Sequence, residues 1–185
     1  MKRNARQLRM TTSRTVIRTA SVLALGLALA ACVSTAPPVK PPVDTTTPAQ
    51  RMAAVDASAG KDDKELDVQP LRDAGIEDLR VVAKSKRQAN DLAGAAEALD
   101  QALLINEGDP SIVQERAEIA LLQGDWARAE TLARKAVELG SKTGPLCRRH
   151  WATIEQARLA RGEKENAASA HAQLEGCTVP GIKRY

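Results

Sequence analysis

Hydrophobic positions along this 185-residue chain fall into three regimes. Residues 20–31 form one run of apolar and small residues, Ala-Ser-Val-Leu-Ala-Leu-Gly-Leu-Ala-Leu-Ala-Ala. Residues 33–69 carry no helical or strand period. From about residue 70 apolar side chains recur at steps of three and four, the spacing of a helix face. Leu92, Ala95, Ala96, Leu99, Ala102 and Leu103 make one such stripe. Glu107-Gly108-Asp109-Pro110 then reads as a turn, with Asp109 suited to an N-cap and Pro110 to the first helical position. The next helix, over 110–123, turns Val113, Ala117 and Ala120 inward and stops at Gly124. A further stripe runs from Trp126 through Ala129 and Ala133 to Ala136 and Val137. After Gly144-Pro145, one helix carries Trp151, Ile154 and Ala157, and the last carries Ala167, Ala168, His171 and Leu174. Ahead of them all, a poorer helix with Gly75 inside it offers Leu79, Val82 and Ala83. The pattern predicts six helices in three hairpins over residues 70–178, and a short tail over 179–185.

Composition agrees with an all-α fold. The chain has no Phe, one Tyr and two Trp, whereas strands favour β-branched and aromatic residues. Ala and Leu with Glu, Lys, Arg and Gln are strong helix formers.

The hairpins repeat. Setting Asn90-Asp91-Leu92 against Gly124-Asp125-Trp126 also aligns Ala95 with Ala129 and Ala102 with Ala136, each 34 apart. Two helices at that period resemble the tetratricopeptide repeat. Trp151 stands where that family's first helix often has Trp, and Gly162 and Ala167 match a third turn. The third unit is offset by 38, as if a loop at 141–144 held four extra residues, and Lys164 takes a position that is usually large and apolar. The resemblance covers about residues 76–178 and implies a short solenoid of three hairpins. Such arrays bind peptide or protein segments on a face lined by the first helix of each unit. Here that groove would show Arg80, Lys84, Arg87, Gln114, Glu118, Leu121 and Gln156. Its amino-terminal end is basic, which suits an acidic or carboxylate-bearing segment. Gln114 and Glu118 do not supply the side chains of a carboxylate clamp.

The apolar run sets the address. Residues 1–19 hold six positive charges and no acidic residue. A basic start, about a dozen apolar residues and small residues before a cut make an export signal, too short to span a bilayer, which needs roughly 20. Leu29-Ala30-Ala31-Cys32 resembles a bacterial lipobox. That resemblance implies cleavage before Cys32, lipidation of its thiol, and a mature chain of 154 residues. Translation from Met10 would give the same product. Six of the 27 basic residues and none of the 23 acidic ones leave with residues 1–31. The mature chain therefore carries 21 positive against 23 negative charges, a net −2 in place of +4, and a nucleic-acid partner is not expected. Val33 after the lipidated Cys, rather than Asp, points to the outer membrane, facing the periplasm. Residues 32–69, with Pro37-Pro38, Pro41-Pro42 and Thr45-Thr46-Thr47-Pro48, are expected to be a disordered tether. A short helix around residues 50–55 would find little to pack on.

With Cys32 lipidated, Cys147 and Cys177 remain, and an oxidising compartment favours a bridge between them. Both fall at the open end of the last hairpin. Zinc held by Cys147, His150, His171 and Cys177 is the alternative. The six-residue gap from His171 to Cys177 is not a common ligand spacing, however, and His171 on an apolar stripe reads as a core histidine. No nucleophile motif or phosphate-binding loop suggests an enzyme, and neither cofactor nor metal is expected. Two functional classes stay open. One is an adaptor that binds an envelope protein through the groove. The other is a structural subunit of a pilus or secretion machine that oligomerises through its helices.

Overall fold

The computed structural model describes residues 44–60 and 73–178. Among these, all regular structure is helical: α1 Pro48–Ser58, α2 Ala74–Gln88, α3 Leu92–Ile105, α4 Pro110–Leu122, α5 Trp126–Leu139, α6 Gly144–Ala160 and α7 Lys164–Gly176. Helices α2–α3, α4–α5 and α6–α7 form the three expected hairpins.

Each hairpin turns in the same way. Asn90, Gly124 and Gly162 sit at φ of 60°, 76° and 75°. The N–H groups of the residues after them, Asp91, Asp125 and Glu163, donate back to the carbonyls of Lys86, Ala120 and Arg158 at 2.9, 2.9 and 3.0 Å. A left-handed residue followed by this six-to-one bond closes a helix while satisfying its last carbonyls. Glycine takes that conformation without steric cost, and Asn is among the few other residues that tolerate it. Asp91 and Asp125 then start the next helix by accepting from the N–H groups of Gly94 and Arg128.

The third unit differs in its helix, not in its loop. The links before α4 and α6, residues 106–109 and 140–143, are equal in length. Helix α6 has 17 residues against 13 in α4. Four residues make about one helical turn, so the insertion lengthens α6 and keeps its faces in register. The expected loop insertion at 141–144 is thereby corrected.

Packing runs over small side chains. Ala95, Ala102, Ala117, Ala129, Ala133, Ala136, Ala157 and Ala170 are fully buried, which lets neighbouring axes approach closely. Ile76, Leu99, Ile112 and Ile119 fill the space between the first two hairpins, and Ala117, Ala133, Ile154 and Ala170 that between the last two. A Cβ on Gly140 would lie 2.9 Å from the Ala136 carbonyl, 3.1 Å from His150 Nε2 and 3.2 Å from Pro110 Cβ. Only glycine fits where α5, α4 and α6 converge. At the far end Cys147 and Cys177 are joined by a disulfide, with Cα atoms 5.8 Å apart, and the Gly144 N–H donates to the Cys177 carbonyl at 2.9 Å.

Three details of the stripes shift. In α2 the inward positions are Ile76, Leu79 and Ala83, while Val82 is exposed. Gly75 lies inside the helix, as expected, but in its first turn, where its N–H donates to the Asp73 side chain. In α7 the buried line is Ala167, Ala170 and then, partly, Leu174. Ala168 and His171 fall outside it, and His171 meets Glu155 at 3.2 Å on the surface. Steps of three and four both satisfy a helical period. With α6 as its packing neighbour, α7 buries only the narrower line.

The larger correction concerns the tether. Residues 44–60, expected to be disordered, hold α1, packed on α4 and α6 with Arg51, Met52 and Val55 buried. Thr47 accepts from the Gln50 N–H while Gln50 Oε1 accepts from the Thr47 N–H at 2.9 Å. That reciprocal cap, with Pro48 at the first helical position, starts the helix. Burial of Met52 and Val55, about 1.5–3 kcal/mol each, holds it down.

Candidate partner-binding site

Helices α2, α4 and α6, the first of each hairpin, are joined by the ion pairs of Arg80 with Glu115, Arg87 with Glu118 and Arg149 with Glu118, and they share the face expected to form a groove. Helix α1 is seated on its α4–α6 part and runs antiparallel to α6. At the start of α1, Arg51 Nη1 donates to the Gln156 carbonyl at 3.2 Å. The Arg51 guanidinium stands over the Trp126 ring, 5.7 Å from its centroid, and is ion-paired with Asp44. Directly after it Met52, and one turn on Val55, enter a pocket of Ala120, Leu121, Ala129, Ala152 and Ala157, with Trp126 and Leu122 at its rim. Asp56 accepts from Arg149 Nη2 at 2.9 Å and faces Arg87 at 3.8 Å. At the end, Arg148 donates to the carbonyls of Ser58 and Ala59 at 3.1 and 2.7 Å. These are carbonyls that a helix terminus leaves without an intrahelical partner.

Beneath α1 lies a buried polar network. Glu118 accepts from Arg149 Nε at 2.8 Å and from Gln114 Nε2 at 3.0 Å, with Arg87 at 3.4 Å. Burial pushes its carboxyl above the usual range, while Arg149, Gln114 and Arg87 pull it back. Gln114 Nε2 also donates to Thr153 Oγ1 at 2.8 Å, which leaves its Oε1 facing His150 Nδ1 at 2.8 Å. Burial, helped by Lys142 and Arg149, lowers the His150 pKa to about 4. His150 is therefore neutral near pH 7 and donates from Nδ1. Its Nε2 is buried without a hydrogen-bond partner among the described residues.

The seven expected groove residues thus fare differently. Gln114 and Glu118 are buried in the network, Leu121 lies under Met52 and Val55, and Gln156 lies under Arg51. Arg80 is ion-paired with Glu115 and Glu77, so the basic end is largely neutralised from within. Arg87 reaches both Glu118 and Asp56. Lys84 is exposed and makes no ion pair among the described residues. The sequence reading missed Arg51, Met52, Val55, Asp56, Arg148 and Arg149. Thr47-Pro48-Ala49-Gln50, a capping-box pattern with Pro at the first helical position, was the available signal for α1.

The four side chains considered for zinc do not converge. Cys147 and Cys177 are bonded to each other, His150 faces Gln114 and His171 faces Glu155. Cys32 and the apolar run before it lie outside the described residues. Among the described residues no helix is long and apolar enough to cross a membrane.

No family model and no curated protein matches the chain. Among solved structures, the globular C-terminal domain of LpoP from P. aeruginosa is similar. It is 28% identical with a TM-score of 0.54, over 57% of this chain and 99% of that domain. The chain shares an all-helical architecture with this domain along nearly the domain's whole length.

Proposed function

We propose that the mature protein is a lipid-anchored envelope adaptor, held in the outer membrane through Cys32, whose tetratricopeptide-like domain binds a segment of a partner protein in the periplasm. It carries out no chemistry of its own in this reading. The single observation behind it is that the α2–α4–α6 face accepts a helix: α1 sits there with two apolar side chains in a pocket, an ion pair beside them and an arginine on its last carbonyls. A face that recognises a helix in cis has what it needs to recognise one in trans. The similarity to a C-terminal domain of LpoP gives support, since here too the helical domain follows a long amino-terminal stretch.

Site-specific photocrosslinking in intact cells tests the reading. A crosslinker at Lys84 or Gln156 should give a discrete adduct with an envelope protein, and one at Lys135, exposed on the outer side of α5, should not. Equal adducts from both faces, or a ladder of homo-oligomers, would favour the structural-subunit alternative. Replacing Cys32 with Ser should release the protein from membranes; retention as an integral species would overturn the anchor.

A further inference from the structure

The groove of this protein is already filled, and by a segment of its own chain. Only Arg51, Met52 and Val55 of the eleven residues of α1 are buried. Met52 and Val55 belong to one of the three core clusters, whereas the clusters that join α2 to α3 and α4, and α4 to α6 and α7, contain no residue of α1. The three hairpins therefore keep most of their packing without it. The ion pairs of α1 to Arg149 and Arg87 run through Asp56, which is half exposed. A helix held by two apolar side chains, one half-exposed carboxylate and the hydrogen bonds of Arg51 and Arg148 at its ends opens at lower cost than the helices beneath it.

We propose that α1 is a resident latch in a helix-binding site, and that a partner's amphipathic helix replaces it. This rests on the adaptor reading above and names its ligand. The pocket defines the replacement. It takes two apolar side chains three residues apart, as Met52 and Val55 are, into the Ala120, Leu121 and Ala152 surface. It takes a carboxylate directly after the second, as Asp56 is, between Arg149 and Arg87. It takes a helix that ends within the next turn, where Arg148 meets the free carbonyls. An amphipathic helix with a cation facing Trp126 and Gln156, as Arg51 does, and a carboxylate at the Asp56 position fits this site; an extended acidic peptide does not.

The test uses the full mature chain made soluble by Cys32→Ser, and a labelled synthetic peptide of residues 44–60 as probe. The intramolecular α1 competes at an effective concentration in the millimolar range, so the unaltered protein should bind the probe weakly. Met52→Asp with Val55→Asp in the protein should free the groove and tighten probe binding at least tenfold. The same two changes placed in the peptide should abolish binding. Circular dichroism melting reports whether the opened protein still folds. Hydrogen exchange on the unaltered protein gives a second readout: amides of α1 should exchange at least tenfold faster than those of α4 and α6. Equal probe affinity for closed and opened protein, or α1 amides as protected as those of α4, would make α1 a fixed part of the core and overturn the latch. A concentration-dependent dimer dissociated by the same substitutions would assign the groove to α1 of a second copy, and overturn it too. Probe binding by the opened groove, with no cellular adduct from the α2–α4–α6 face, would leave the latch standing and remove the adaptor reading.

Discussion

At the scale of the residue, His150 decides how the groove floor responds to acid. Its pKa falls from 6.5 to about 4 on folding, so between those values the unfolded chain binds a proton that the folded one refuses. Stability contributed by the neutral imidazole is therefore full above pH 6.5 and is lost as pH falls towards 4, by up to about 3 kcal/mol. Glu118, raised by burial, works in the opposite sense, its contribution lost as pH rises through its folded pKa. The two are separable by substitution. His150→Asn keeps a donor towards Gln114 Oε1 and removes the titration, so its urea-unfolding free energy should fall less than the parent's between pH 6.5 and 4.5. Parallel curves for the two proteins would show that His150 titrates normally. Which histidine lies inside was not legible in the sequence. His171 shares a helical period with Ala167 and Leu174, yet the packing follows Ala170, and His150 is buried by α4 and Gly140, partners distant along the chain or set by the loop.

At the scale of the element, the hairpins were the most legible part of the chain, because their signals are local. Asn90-Asp91, Gly124-Asp125 and Gly162-Glu163 carry the left-handed residue and the position that starts the next helix, and the same turn results each time. Helix α1 was less legible because its two apolar residues form no sustained stripe; tertiary burial, not periodicity, completes it. The bridge at the end of the array lies between these cases. Its partners follow from the two cysteines that remain once Cys32 is set aside as the expected lipidation site, but the extra turn of α6 that carries Cys147 does not follow. The bridge of Cys147 to Cys177 with the Gly144–Cys177 hydrogen bond secures that end. Reduction should cost roughly 3 to 4 kcal/mol in the chain-entropy account of a loop near 30 residues. Hydrogen exchange should show the loss of protection in α6 and α7 while α3–α5 stay protected. Uniform loss across all hairpins would mean that the bridge supports the whole array rather than its end.

At the scale of the molecule, the latch and the anchor are coupled through the chain that joins them. With Cys32 as the proposed anchor, a docked α1 leaves sixteen residue steps from lipid to Pro48, a reach of at most ~55 Å. With α1 released, the next described residue is Asp73 at the start of α2, forty-one steps from Cys32, and the ceiling set by chain length alone is ~145 Å. The same event that empties the groove therefore lets the domain move farther from its membrane. A partner beyond the shorter reach could be engaged only by the open form, and its helix in the groove would keep α1 from returning. Neutron reflectometry on bilayers bearing the lipidated protein measures this directly. Met52→Asp with Val55→Asp should move the protein layer outward and broaden it, and added peptide of residues 44–60 should do the same to the unaltered protein at high concentration. An unchanged layer in both cases would mean that the domain is held near the lipid by contacts other than α1, and the coupling of occupancy to reach would fall.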